Sequence, residues 1–366
     1  MSTLLTIDLG ALEANFRFCS KKLRPASVAA VVKADAYGLS VQKIAPLLWH
    51  AGCRQFFTAT HREGITLRAL LPEAEIYILE GVTDQSLSAV VENALIPVLI
   101  TPAHSSLWAA QARTAGRPLP AVIHIDTGMT RLGFGERELK RLLEQDDDLD
   151  WLEIRYVMTH FACADEPGAD KTRDQLERFN RLRQLLPPAP TSVGNSAGGL
   201  LGREYAGDMA RLGIALFGGN PYRKEMPDLK PVLTVQSRIL QVREVDAGAT
   251  VGYGATFSAK QNMRIATVGI GYADGYPWSL GNRGVASIGG HRVPVVGRVS
   301  MDMITLDVTE VPDEFLQPGH MVDLIGPNIS LEEVAELAGT INYEILTRLS
   351  QRARRKYIND PVCHTS

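Results

Sequence analysis

Over roughly its first 220 residues the chain repeats one pattern, a short apolar run followed by an amphipathic stretch. The apolar runs fall at 28–33, 55–59, 75–79, 96–100, 121–126, 155–160, 191–195 and 211–217. Runs of this length with little polar alternation suit strands buried on both faces of a parallel sheet. Between them, 41–50, 84–93, 136–145 and 174–185 carry helical spacing. The last is clearest, placing Leu176, Phe179, Leu182 and, just past its end, Leu186 on one face. Eight strands alternating with helices predict an α/β chain with an N-terminal (β/α)8 TIM-like barrel. A doubly wound sheet competes, but no GxGxxG follows the first run.

The full 366 residues exceed one compact core. From about Leu229 the pattern turns to strict alternation, at 232–242, 264–270, 284–288, 303–308 and 321–325, with Gly and Pro between the runs. That predicts a C-terminal mainly-β domain, with a helix opened by the capping-box pattern Ser330-Leu331-Glu332-Glu333. The expected boundary puts 1–225 in the barrel and 226–366 in the β-domain.

Composition excludes several functions. A net charge of −3 argues against holding nucleic acid through phosphates, and no apolar run is long enough to span a membrane. Cys19, Cys53, Cys163 and Cys363 have no CxxC spacing, so neither a disulfide framework nor a zinc site is expected. Residues 1–9 lack the basic and apolar regions of a secretion signal, which makes a cytoplasmic location the expectation.

In a parallel barrel the chemistry gathers where strands meet the loops that follow them. Here the first strand ends at Lys33 with Tyr37 beyond it, and the fifth runs into Asp126-Thr127-Gly128-Met129-Thr130-Arg131. The sixth ends at Thr159-His160 and the seventh at Gly194-Asn195-Ser196; the eighth opens at Arg211, followed by Gly213 and Ile214. Taken singly, a lysine reaches solvent and a histidine packs in a core. Together on one rim, buried charges must be paired or bind something, and an excess of positive groups favours an anion such as phosphate or carboxylate. A lysine at the end of a buried strand is partly desolvated, which lowers its pKa and frees the amine as a nucleophile or base. The β-domain adds Tyr253, Tyr272, Arg298 and Met301, of which a glycine-flanked tyrosine alone would read as a turn residue.

The motifs Val-Val-Lys-Ala-Asp-Ala-Tyr-Gly, Asp-Thr-Gly-Met-Thr-Arg-Leu-Gly-Phe, Thr-His-Phe, Asn-Ser-Ala and Val-Gly-Tyr-Gly occur in that order. Gly-Tyr-Ala-Asp-Gly-Tyr-Pro, Gly-Arg-Val-Ser-Met-Asp and Asn-Tyr-Glu follow. This collinear set, spanning nearly the whole chain, resembles bacterial alanine racemases, the fold-type III enzymes that use pyridoxal 5′-phosphate (PLP). The resemblance implies that Lys33 carries the cofactor covalently and that Tyr37, Ser196, the backbone at Gly213-Ile214 and Tyr343 cradle its phosphate. Leu79 and Asn195 join the cofactor contacts. Arg211 faces the pyridine nitrogen, His160 lies beside the ring, and Arg131 contacts the cofactor and the substrate carboxylate. Tyr253 is the second catalytic base and the backbone of Met301 a further carboxylate contact, both reaching in from the partner of a head-to-tail homodimer. The first strand, about 2–8, joins the C-terminal domain.

In this scheme alanine loses its Cα proton to one base and regains it from the other, with Lys33 and Tyr253 on opposite faces. The tyrosine, ordinarily titrating at about 10, needs a lowered pKa, and a cationic neighbourhood including His160 and Arg211 would supply it. Asp165, Tyr272, Arg298 and Ile341 match the entryway, where Tyr343 and Tyr253 would form a narrow gate favouring alanine.

Three positions depart from the family pattern. His124 stands where a lysine that becomes carbamylated often braces the arginine matching Arg131, leaving a chloride, a water or the imidazole itself to do so. Trp278 replaces an arginine after Gly-Tyr-Pro, and Leu212 replaces a proline. The alternatives are a racemase of serine or a broader range of amino acids, a PLP-dependent decarboxylase, and a non-catalytic PLP-binding protein. Arg211 in place of an acid disfavours the decarboxylase, and the β-domain with Tyr253 disfavours the non-catalytic protein.

Overall fold

The computed structural model describes residues 3–144, 146–222 and 228–361. After β1 (Leu4–Asp8) come the barrel strands β2 (Ser27–Val31), β3 (Gln55–Thr58), β4 (Glu75–Ile78), β5 (Ile96–Leu99), β6 (Leu119–His124), β7 (Leu152–Met158), β8 (Thr191–Ser192) and β9 (Met209–Leu212). They pair in parallel in the order β8-β7-β6-β5-β4-β3-β2-β9, so a nearly closed barrel forms with helices between strands. Its lumen is filled by Ala29, Phe57, Tyr77, Val98, Val122, Met158 and Met209, with the Phe57 and Tyr77 rings stacked at 4.7 Å.

That lumen fixes what the strand ends present. Side chains alternate along a strand, so residues two apart share a face. Val31, packed on the lumen, is followed two residues on by Lys33; Tyr77 by Leu79, Val122 by His124, Met158 by His160 and Met209 by Arg211. The period of two therefore carries four basic side chains to the C-terminal mouth of the barrel.

The expected strand at 211–217 is corrected. Pairing ends at Leu212, and 213–217 turn out of the barrel with Leu216 N–H donating to Gly213 O (2.8 Å) and Phe217 N–H to Ile214 O (3.1 Å). Ile214, Ala215 and Leu216 are fully buried in that turn, so their apolar character marks burial without strand pairing. The seventh strand is likewise only Thr191–Ser192; just beyond it Gly194 O accepts from Arg211 N–H (2.8 Å) outside the named ladder.

The second sheet is built on β10 (Leu233–Val245), with β11 (Thr250–Val251) and β12 (Phe257–Ser258) as a separate short hairpin. The remaining strands are β13 (Met263–Val268), β14 (Val285–Ile288), β15 (His291–Pro294), β16 (Ile304–Asp307), β17 (Met321–Ile325) and β18 (Arg354–Ile358). Strand β1 pairs antiparallel with β10 and parallel with β18. Among the described residues no helix is long and apolar enough to cross a membrane, and no His/Cys/Asp/Glu cluster could hold a metal. Cys19, Cys53 and Cys163 are free thiols; Cys363 lies outside the described residues.

Candidate active site

Immediately after β2 the backbone reverses its hand. Ala34, Asp35 and Ala36 have φ/ψ near 50°/50°, and Tyr37 has φ 57°. Each such L-residue costs about 1–2 kcal/mol, so the turn must be held from outside. Asp35 Oδ1 accepts from Val41 N–H (2.8 Å), and Glu63 Oε1 accepts from Ala34 N–H (2.8 Å). Gly38, at φ 80°, closes the turn, and Arg355 of β18 donates to its carbonyl (3.0 Å). The turn aims Lys33, half-buried, and swings Tyr37 into the core. Burial foremost, then the neighbouring Arg131 charge, lowers the Lys33 pKa, and Glu63 partly restores it.

Arg211 is buried against polar backbone. One terminal nitrogen donates to Ser192 O and Ser192 Oγ (both 2.7 Å) and the other to Thr159 O (2.6 Å), with His160 Nδ1 at 3.3 Å. Burial brings its pKa down to about 9, which leaves it charged at neutrality. Its Nε–H has no acceptor among the described residues.

His160 is the correction to the cationic neighbourhood expected for the site. Burial, then Arg211, Arg131, His124 and Lys33, holds its pKa well below the usual imidazole range, so it is neutral. His124 behaves alike: burial foremost, with Arg211 and Arg131 adding, pushes it down to about 3. No hydrogen bond joins His124 to Arg131 among the described residues. Instead Asp126 shapes the loop, its Oδ1 accepting from the N–H groups of Gly128, Met129 and Thr130 (2.9, 3.0 and 3.1 Å). Arg131 leaves that loop exposed.

Around Gly213 lies a cradle of hydroxyls and amides. Asn195 caps the short helix Ser196–Leu201, its Oδ1 accepting from Gly198 N–H (2.9 Å). Ser196 Oγ accepts from Gly213 N–H (2.9 Å), and Gly213 abuts Tyr37 so closely that a Cβ there would lie 2.1 Å from Tyr37 Oη. The Tyr37 ring packs on Phe217 (4.7 Å) and on Tyr343 (6.2 Å). Burial raises both tyrosine pKa values, that of Tyr343 to about 12 with Asp165 contributing, so both hydroxyls are donors. Neither hydroxyl nor the Ile214 N–H has a protein partner among the described residues. Three converging donors without acceptors fit a phosphate dianion, and with Lys33 and the Arg211 Nε–H they fit PLP.

The other predicted residues divide between two surfaces. Asp165, Asn195, Ile341 and Tyr343 line one groove between the barrel mouth and the helices of the second domain. Leu79 packs at the lumen. Tyr253, Tyr272 and Met301 sit on the β-domain surface at 73%, 45% and 53% exposure. Beside Tyr253, Arg298 approaches Gly254 and lies over the Trp278 ring (5.9 Å). The Met301 carbonyl accepts from Ala273 N–H (3.0 Å), while its own N–H donates to no described residue. Two residues at the site went unremarked in the sequence, Ser192 and Glu63. The capping-box pattern Thr60…Glu63 could have flagged the latter; nothing local marks Ser192.

A barrel rim that joins an amine of lowered basicity, a buried charged arginine and a dianion cradle defines a lysine-centred enzyme that works beside an anionic group. Residues 7–221 match the family model described as alanine racemase, N-terminal domain, and 232–357 its C-terminal domain. The alanine racemase of Brucella suis is 44% identical, covering 97% of this chain and 93% of that protein, and that of Rhodospirillum rubrum is 45% identical over 97% and 96%. The crystal structure of alanine racemase from Bartonella henselae with covalently bound pyridoxal phosphate superposes with a TM-score of 0.94 at 39% identity, covering 98% of this chain and all of that one. The chain belongs to the alanine racemase family.

Proposed function

We propose that this chain interconverts L- and D-alanine by a two-base route, with PLP held at Lys33. The observation carrying the reading is the register that places Arg211 beside Ala29, so that Lys33 and the free Arg211 Nε–H share one end of the lumen. When bound, the cofactor supplies the electron sink that acidifies the substrate Cα–H. Tyr37, Ser196, Ile214 N–H and Tyr343 would bind its phosphate. Arg211 would donate at the ring nitrogen while keeping its proton, which limits charge delocalisation into the ring and disfavours transamination. Arg131 and the Met301 N–H would orient the substrate carboxylate.

Lys33 holds and moves the proton on one face of Cα; its lowered pKa makes the neutral amine more available. Tyr253 of a second copy serves the other face. The exposed Tyr253, Tyr272, Trp278, Met301 and Met303 form the surface that a head-to-tail homodimer would cover, completing each site from its partner. The test is racemisation of a panel of L-amino acids with added PLP, followed by Cα–H exchange in deuterated buffer. Alanine should turn over fastest; faster serine or basic amino acids would replace alanine as the substrate, and no exchange with any amino acid would overturn the reading.

A further inference from the structure

We propose that Glu63 is a positioning residue for Lys33, its carboxylate tying down the left-handed turn through Ala34 and setting a negative charge against Arg131. Glu63 stands in the first turn of the helix His61–Leu70, two strands away in sequence from β6 yet facing the same amine. Glu63 does three things at once, two through its carboxylate and one through its backbone amide. One oxygen accepts from Ala34 N–H (2.8 Å), the residue directly after Lys33. The other accepts from Ala59 N–H (2.8 Å), at the end of β3, and more distantly from Thr60 N–H (3.4 Å). Its own N–H completes the capping box by donating to Thr60 Oγ1 (3.3 Å).

The capping box accounts only for the two bonds between Glu63 and Thr60. The reach to Ala34 instead joins two neighbouring strand ends at the residue where the chain turns left-handed. Ala34 cannot be held there by its own side chain, and Asp35 Oδ1 is occupied by Val41 N–H. The groups acting on the lysine are Arg131 from the loop after β6, His160 after β7, and Glu63. Since His160 is neutral, Glu63 supplies the negative charge that offsets Arg131 at the amine. Removing it makes Lys33 less basic, so the neutral amine persists to lower pH.

The proposal rests on Lys33 being the reactive amine, and the test separates the two. Full-length Glu63→Ala, Glu63→Gln and Thr60→Ala are compared with the parent, all with PLP added. Hydrogen exchange of the 33–38 segment reads the lock without reference to activity; the pH profile of alanine racemisation reads the charge. Glu63→Ala should speed exchange at Ala34–Tyr37 at least tenfold and lower kcat at least tenfold with KM within threefold. Glu63→Gln, which keeps one oxygen acceptor but no charge, should shift the acidic limb to lower pH in the direction that uses Lys33 as base. Thr60→Ala, which removes only the cap, should leave exchange in the segment and the acidic limb unchanged. Parent-like exchange in Glu63→Ala, an unmoved limb in Glu63→Gln, or the same changes in Thr60→Ala would each overturn the proposal. A parent that exchanges no Cα–H would remove the racemase reading, and the exchange data would still decide the lock.

Discussion

Replacing Gly213 by alanine tests the cradle most directly. The added Cβ would stand 2.1 Å from Tyr37 Oη and 2.7 Å from Cζ. Ordinary contact requires the phenol to retreat by roughly 1.3 Å. Tyr37 has little room to do so, being 6% exposed and wedged between Phe217 and Tyr343. Overpacking of this kind costs about 1–3 kcal/mol, and the phenol moves away from the phosphate it would bind. Losing one charge-assisted hydrogen bond, about 1.5–3 kcal/mol, weakens PLP binding about 10- to 150-fold. Titration of the cofactor-free protein with PLP, followed by absorbance, measures the affinity; a thermal melt measures the strain. Tyr37→Phe separates the two effects. Alone it should weaken PLP binding with little loss of stability. Combined with Gly213→Ala, it removes the closest contact and should recover part of the lost Tm without recovering affinity. If Gly213→Ala bound PLP as tightly as the parent at an unchanged Tm, or if Tyr37→Phe kept full affinity, the cradle would be misassigned.

Lys33→Ala should abolish the protein-bound cofactor absorbance and racemisation together; retention of either would remove Lys33 from its role. Tyr253→Phe should slow proton transfer mainly in one direction, seen as unequal solvent isotope incorporation from L- and D-alanine, and equal parent-like rates both ways would end the two-base scheme. Because His124 is held near 3 in the fold against about 6.5 when unfolded, the unfolded chain binds the extra proton between those values. Stability should therefore fall as pH drops from about 6.5 toward 3, by up to about 1.4 kcal/mol per pH unit from this residue. His124→Phe should flatten the decline in Tm across that range, and an unchanged slope would contradict the assignment.

The strand ends were legible because the physics that writes them is local. A barrel strand shows the same apolar run wherever it sits, and its period of two carries Lys33, His124, His160 and Arg211 to the mouth without reference to the rest of the chain. The strand expected at 211–217 failed for the converse reason: Ile214 to Phe217 are apolar because they are buried, and burial in a turn leaves the same signature as burial in a ladder. The charge on His160 was also out of reach. Its neutrality follows from burial beside Arg211, Arg131, His124 and Lys33, which come from three different strand ends, those of β9, β6 and β2.

The amino-acid order alone determined the alternating barrel, the change to a β-domain and the set of residues gathered at the rim, since each depends on side-chain chemistry within a few positions. Only the tertiary structure decided the left-handed turn after Lys33, the hydrogen bonds from Ala34 and Ala59 N–H to Glu63, the full occupation of the terminal nitrogens of Arg211, and the meeting of Tyr37 with Gly213. Those depend on distances between segments far apart in the chain, and a hydrogen bond or a 2.1 Å clash exists only once folding has brought both partners to the same place.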